Sequence, residues 1–212
     1  MDALTDAVAR AVAEIRAEVG DAVTLVAVTK GFGPEAAQAA VDAGVTDVGE
    51  NYAQELLAKE AAVPAARWHF MGHVQRNKVA KLAPHVHLWQ SVGGEDVGRV
   101  IAGHAPAAHV LVQVNLSGLP QRNGCDWDEA APLVDRLRDV GLDVQGVMGV
   151  AGPGDPRPQF RRLRALAVDL DLTVVSMGMS GDYHVAIEEG STMVRLGTAL
   201  FGPRPEPGHL RR

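Results

Sequence analysis

Eight short apolar runs, separated by stretches with helical spacing, pass along the whole chain, and no other feature restricts its fold as strongly. They fall at 25–30, 47–50, 68–72, 88–92, 110–115, 144–149, 173–178 and 193–197, each rich in Val, Leu or Met, and most close on Gly or a polar residue. Between them, helical patterns occupy 34–43, 53–62, 75–82, 95–103, 128–140, 158–170 and 183–189, with Pro34 in a first turn and Gly44 and Gly141 just past an end. Strands alternating with helices specify a parallel α/β architecture, because parallel neighbours need a crossover and a helix supplies it. Periodicity does not choose between a doubly wound sheet and a closed barrel. The count favours the barrel: eight strands are its number, and 212 residues lie near its lower size limit of roughly 200, which leaves no room for a second domain. The expected fold is a single (β/α)8 TIM barrel over residues 1–204, with a short tail at 205–212. Ahead of the first strand, Leu4, Val8, Val12, Ile15 and Val19 recur at helical spacing and predict an extra amphipathic helix packed on the barrel.

Composition narrows the function classes. At 47% hydrophobic residues the chain can bury a large core without metals or disulfides. Cys125 is the single cysteine, and no apolar leader follows Met1, so the expected home is the cytoplasm. No run reaches the roughly 18 apolar residues of a membrane span. A formal charge of -6 argues against a general nucleic-acid binder. The basic cluster from Arg157 to Arg164 lies in a helical pattern broken by Leu163 and reads as a solvated face.

Barrel active sites lie at the C-terminal ends of the strands, so the residues that close each run are the candidates. They are Lys30, Glu50 with Asn51, His73 with Gln75 and Asn77, Ser91, Asn115, Met179 with Ser180, and Arg195 with Gly197 and Thr198. Lys30 stands out among four lysines. Lys59, Lys78 and Lys81 fall on helical stretches read as solvated, whereas Lys30 ends the run Leu-Val-Ala-Val-Thr. Partial desolvation there lowers the amine pKa and raises the neutral fraction that attacks an aldehyde; a rim lysine reaching to water is the bland alternative.

The stretches 176–182 and 193–202 occupy the places where these barrels build phosphate sites, after strands seven and eight. Gly178 and Gly181 allow close backbone approach to an anion, Ser180 adds a hydroxyl, and Gly197 with Thr198 open a last helix whose N–H groups and dipole favour phosphate. Arg195 sits in apolar surroundings, where an unpaired guanidinium is costly. Its partner is either Glu50 or Asp47, or the ring nitrogen of a ligand. His69 and His73 are four apart on a strand-to-loop stretch, where that spacing does not make a metal pair.

Five segments, AVTK (27–30), GENYAQE (49–55), WHFMGHVQRNK (68–78), SMGMSGDY (176–183) and GSTMVRLGTALFG (190–202), resemble the pyridoxal phosphate homeostasis proteins, YggS-like relatives of the alanine racemase barrel domain. The resemblance runs from about residue 20 to 204. It implies pyridoxal 5′-phosphate (PLP) held as a Schiff base on Lys30, a phosphate cradle from Ser180, Gly197 and Thr198, Arg195 facing the pyridine nitrogen, and Asn51 lining the cofactor. Two departures stand out. Gly31-Phe32-Gly33 replaces the more usual Thr-x-Pro turn, and Arg122-Asn123 stands where relatives carry Lys-Ser/Gly, which puts any PLP hand-off through that loop in doubt.

Two functions follow from a lysine-bound PLP. One is a non-catalytic monomer acting in intracellular PLP homeostasis, with PLP and PLP-dependent apoenzymes as partners and no nucleic acid or membrane. The other is a minimal single-domain amino-acid racemase. Racemisation needs an acid/base on each face of the α-carbon, which related racemases take from a tyrosine of a C-terminal β domain. Here only Tyr52 and Tyr183 are available, and both are expected to flank the cofactor rather than stand opposite Lys30. An always-protonated arginine at the ring nitrogen also weakens the ring as an electron sink. The carrier is the expected reading.

Overall fold

The computed structural model describes residues 3–204. Eight parallel strands close a barrel in sequence order: β1 (Thr24–Val28), β2 (Asp47–Glu50), β3 (Arg67–Phe70), β4 (Leu88–Val92), β5 (His109–Val114), β6 (Asp143–Gly149), β7 (Val174–Met179) and β8 (Met193–Leu196). The seam is the β1/β8 pairing, Thr24 opposite Met193 through Ala27 opposite Leu196. Helices α2 (Pro34–Asp42), α3 (Ala53–Glu60), α4 (Arg76–Leu82), α5 (Glu95–His104), α6 (Trp127–Asp139), α7 (Arg157–Asp169) and α8 (Tyr183–Glu188) make the crossovers. α1 (Ala3–Val19) precedes the first strand, and α9 (Thr198–Phe201) is a single turn.

The short α9 explains α1. A full helix after β8 would cover the outer faces of β8 and β1; the described residues after β8 form only the single turn α9, and Val8, Val12 and Ile15 of α1 bury against Leu25, Ala27, Val194 and Leu196. Burying each such side chain contributes about 1.5–3 kcal/mol. Leu4 and Val19 pack at the margin of the same cluster, so the five-residue stripe is the helix face that closes the barrel's outer layer.

The barrel interior is mixed. Val26, Leu88, Leu111, Met148 and Met193 form one small apolar cluster. Beside it lie buried polar groups, Asp47, His69, Gln90, Ser176 and Arg195, one from each of five strands. Layers of branched apolar side chains normally fill such barrels, so polar groups here must satisfy one another, and they do.

Strand ends differ from expectation by one or two residues, and one difference matters. β1 stops at Val28, so Lys30 belongs to the turn after the strand. The Phe32 N–H donates to the Thr29 carbonyl (3.0 Å), placing Lys30 second and Gly31 third in a four-residue turn. Gly31 has φ +79°, the conformation that a type II turn demands at that position and that glycine adopts without strain. The tail expected at 205–212 lies outside the described residues. No described helix is long and apolar enough to cross a membrane.

Candidate functional site

A cavity of about 620 Å³ opens at the C-terminal mouth of the barrel, and Lys30, Asn51, Ser180, Arg195, Gly197 and Thr198 all line it. The chain thus gathers residues from four regions of its sequence onto one wall system, as strand ends in a barrel must. Met148 and Val28 form part of the floor, while Arg122, Asn123 and Arg204 stand at the rim. His73, Gln75 and Asn77 are exposed and outside the cavity lining. Ser91 is buried and donates to the Gly72 carbonyl (2.6 Å). Asn115 lines the cavity and shapes the loop after β5, its Oδ1 accepting from the Ser117 hydroxyl and the Gly118 amide.

Lys30 is the only lysine lining the cavity among the described residues. Burial pushes its pKa below 10.5, Arg204 and Arg195 push the same way, and Glu50 opposes them. The neutral amine is therefore more available than that of a free lysine.

Lys59 corrects the expectation of a solvated helix face. It is 4% exposed, and its ammonium donates to the Thr29 carbonyl (2.8 Å), Glu50 Oε1 (2.5 Å) and Glu55 Oε2 (2.9 Å). An ammonium has three N–H donors, and all three are engaged. Lys78 is half-buried and Lys81 exposed, both on α4.

Arg195 has neither of its expected carboxylate partners. Its Nη1 donates to the Ser176 hydroxyl (2.7 Å) and its Nη2 to the Gly149 carbonyl (2.9 Å). Asp47 instead pairs with Arg67 and His69, and Glu50 with Lys59. Asp47 opens and Glu50 closes β2, which is not a neighbour of β8, whereas Ser176 lies on β7, directly beside β8. Burial lowers the guanidinium pKa to about 10, with Asp182 opposing, so the group remains a cation at neutral pH, facing a cavity with donors to spare.

At the phosphate-like end, Ser180 Oγ accepts from the Gly197 amide (3.3 Å) and the Ala199 amide (3.1 Å). Two backbone donors thus converge on one oxygen. Because α9 is a single turn, the contribution is that of individual N–H groups rather than a helix dipole. Gly181 lines the cavity, but Gly178 serves a different purpose from the one expected. Its φ is +94°, and a Cβ there would come within 2.6 Å of the Ala186 Cβ and 3.0 Å of the Tyr183 Cα, so it lets α8 pack on β7 and does not face an anion.

Neither tyrosine flanks the cavity. Tyr183 is buried and donates its hydroxyl to Glu18 of α1 (2.8 Å), and Tyr52 is 61% exposed. Of the two sequence departures, Phe32 lines the cavity and packs on Phe201 at a centroid distance of 5.3 Å. Arg122 and Asn123, both exposed, line the same cavity. His69 points into the barrel between Asp47 and Gln90, away from exposed His73.

The family model described as "Alanine racemase, N-terminal domain" matches residues 4–205. The Pseudomonas aeruginosa pyridoxal phosphate homeostasis protein is 36% identical over 223 residues, covering 96% of this chain and 97% of the relative. The chain belongs to the pyridoxal phosphate homeostasis protein family. A Deinococcus radiodurans member is 39% identical over 92% of this chain and 98% of its own length. PipY of Synechococcus elongatus, a structure solved with PLP bound, superposes with a TM-score of 0.83 at 30% identity, covering 92% of this chain and 100% of PipY. The fold and the family expected from the motifs are those found.

Proposed function

We propose that this chain binds PLP in the barrel-mouth cavity as a Schiff base on Lys30, and that it holds or delivers the cofactor in PLP homeostasis rather than catalysing a reaction. The observation that carries the reading is the placement of Lys30 and Arg195 in one cavity, a lysine with a lowered pKa and a buried cation with no hydrogen-bonded carboxylate. The residues fit the cofactor's three chemical ends.

Lys30 would supply the neutral amine that condenses with the cofactor's aldehyde, with release of one water. Ser180 has its lone pairs engaged by the Gly197 and Ala199 amides, which leaves its single O–H free to donate to a phosphate oxygen. Arg195 lines the same cavity and offers N–H groups to the ring nitrogen; as a permanent cation it disfavours protonation there. Asn51 and Thr198 line the remaining wall. When bound, PLP supplies an electrophilic aldehyde and a ring that can delocalise electrons. Arg195 restrains that second property, which suits storage and exchange.

The test is the absorption spectrum of the purified protein with and without PLP, then borohydride reduction and peptide mass spectrometry. The expected adduct maps to Lys30. A reduced label on Lys59, Lys78 or Lys81, or no retained label, defeats the reading.

A further inference from the structure

Lys59 and Glu55 take no part in the chemistry proposed above, and neither lines the cavity. Yet Lys59 is one of the most buried charged side chains described, at 4% exposure, and an apolar residue of similar size is often as stable or more so at such a position. A charge buried there calls for a role beyond stability, and the geometry supplies one.

The two peptide groups that flank Lys30 are both held from α3. On one side, the Thr29 carbonyl accepts from Lys59 Nζ (2.8 Å). On the other, the Gly31 amide donates to Glu55 Oε2 (2.9 Å). Lys59 and Glu55 are themselves an i,i+4 ion pair at 2.9 Å, so one salt bridge grips the turn before and after Lys30. Glu50 braces the arrangement from β2: its Oε1 accepts from the Thr29 hydroxyl (2.7 Å) and from Lys59, and its Oε2 from the Asn51 amide (3.2 Å). Lys30 itself makes no hydrogen bond within this network. The result is a fixed backbone with one free side chain.

We infer that Lys59 and Glu55 are positioning residues that hold the turn bearing Lys30, so that its amine is presented to an aldehyde from a fixed root. The inference rests on the PLP reading. A nucleophile on a clamped turn starts closer to its attack geometry, and small misplacements of a reacting group are costly in rate. Lys59 also pairs with the Glu50 carboxylate, which on its own favours the charged form of Lys30.

The test uses the full chain and three variants, Glu55→Ala, Glu55→Gln and the charge-neutral double variant Lys59→Met with Glu50→Gln. Two quantities are compared: the rate of covalent PLP attachment, and the affinity for pyridoxine 5′-phosphate, which lacks the aldehyde and reports cavity binding alone. Glu55→Ala is expected to slow attachment by about 10- to 100-fold while analogue affinity stays within about two-fold. Glu55→Gln keeps an acceptor for the Gly31 amide and is expected to restore most of the rate. Hydrogen exchange at Gly31, measured without cofactor, is expected to accelerate in Glu55→Ala only. The double variant is expected to slow attachment as Glu55→Ala does.

Normal attachment in Glu55→Ala, or attachment and analogue affinity falling in proportion, overturns the positioning role. Wild-type protein that attaches no PLP at Lys30 removes the functional reading and this inference together, whereas normal wild-type attachment with an unaffected variant removes the inference alone.

Discussion

Arg195 and Asp47 do not touch, yet a one-way chain of hydrogen bonds across the barrel interior runs from the guanidinium to the carboxylate. Arg195 Nη1 donates to Ser176 Oγ (2.7 Å), Ser176 to Gln90 Oε1 (2.7 Å), Gln90 Nε2 to His69 Nδ1 (2.7 Å), and His69 Nε2 to Asp47 Oδ1 (2.9 Å). The Gln90 amide fixes His69 as the tautomer protonated at Nε2. Bonds aligned in one sense polarise one another. The chain links the buried cation to Asp47 without an ion pair between them, and Arg195 has no hydrogen-bonded carboxylate among the described residues.

The far end titrates, with a definite sign. Burial pushes the Asp47 carboxyl up, but the hydrogen bonds from His69 and Arg67, together with the Arg67 charge, outweigh it and hold the pKa below 3.8. A carboxyl depressed in the folded state contributes stability that is present above the unfolded value and lost as pH falls through the folded one. The stability difference between wild type and Asp47→Asn is thus expected to be full above about pH 4 and to shrink below it. Urea melts of both proteins between neutral pH and strongly acid pH check this. Glu50, raised by burial, contributes with the opposite sign in both proteins and cancels in the comparison. A difference independent of pH would mean that Asp47 is not held as described.

Arg204 is the second largest cause of the lowered Lys30 pKa, after burial. Arg204→Gln is expected to move the pH midpoint for PLP attachment upward, toward 10.5, and so to slow attachment at neutral pH. Because Arg204 is exposed, high salt should screen its effect and bring the wild type toward the variant. Stopped-flow absorbance across a pH series gives both midpoints. A midpoint that stays put or falls contradicts the assignment.

All eight strands were legible in the sequence, because parallel strands buried on both faces read as short apolar runs. What escaped was local. The β-branched run through Val28 suggested a strand reaching Lys30, but a positive φ at Gly31 turns the chain two residues earlier. Lysine is usually solvated, which predicts Lys59 in water, although it lies three residues after buried Leu56 and four after Glu55, on the inward side of α3. A buried arginine suggests a carboxylate such as Asp47 or Glu50 at the ends of β2, whereas its partner Ser176 lies on the adjacent strand. Tyr183 follows the loop at 179–182 in sequence, yet helix periodicity turns its ring toward α1. Residues that close strands could be read from the chain; hydrogen-bond partners set by strand order around the barrel could not.

Ser180 offers one hydroxyl donor beside the Gly197 and Ala199 amides. Removing one hydrogen bond to a charged group costs about 1.5–3 kcal/mol, so Ser180→Ala is expected to weaken PLP binding by roughly 10- to 150-fold. Pyridoxal, which has no phosphate, is expected to bind both proteins alike. Titration with each ligand separates the cases, and an equal loss for both would place the phosphate elsewhere.

Catalysis divides the carrier from the racemase. Racemisation requires a proton donor and acceptor on each face of the α-carbon, and Lys30 serves one face. Tyr183 is bonded to Glu18, and burial pushes its hydroxyl up to about 12, which makes it a poor base at neutral pH even if it were to move. Tyr52 lies outside the cavity and is mostly in solvent. With PLP bound, the protein is therefore expected to show no racemisation of alanine beyond that of free PLP. Solvent deuterium incorporation at the α-carbon, with chiral analysis at high protein concentration, measures it. Inversion well above the free-cofactor rate, lost in Lys30→Ala and in Tyr183→Phe, would instead establish a two-base racemase and require the Tyr183 hydroxyl to leave Glu18 during turnover.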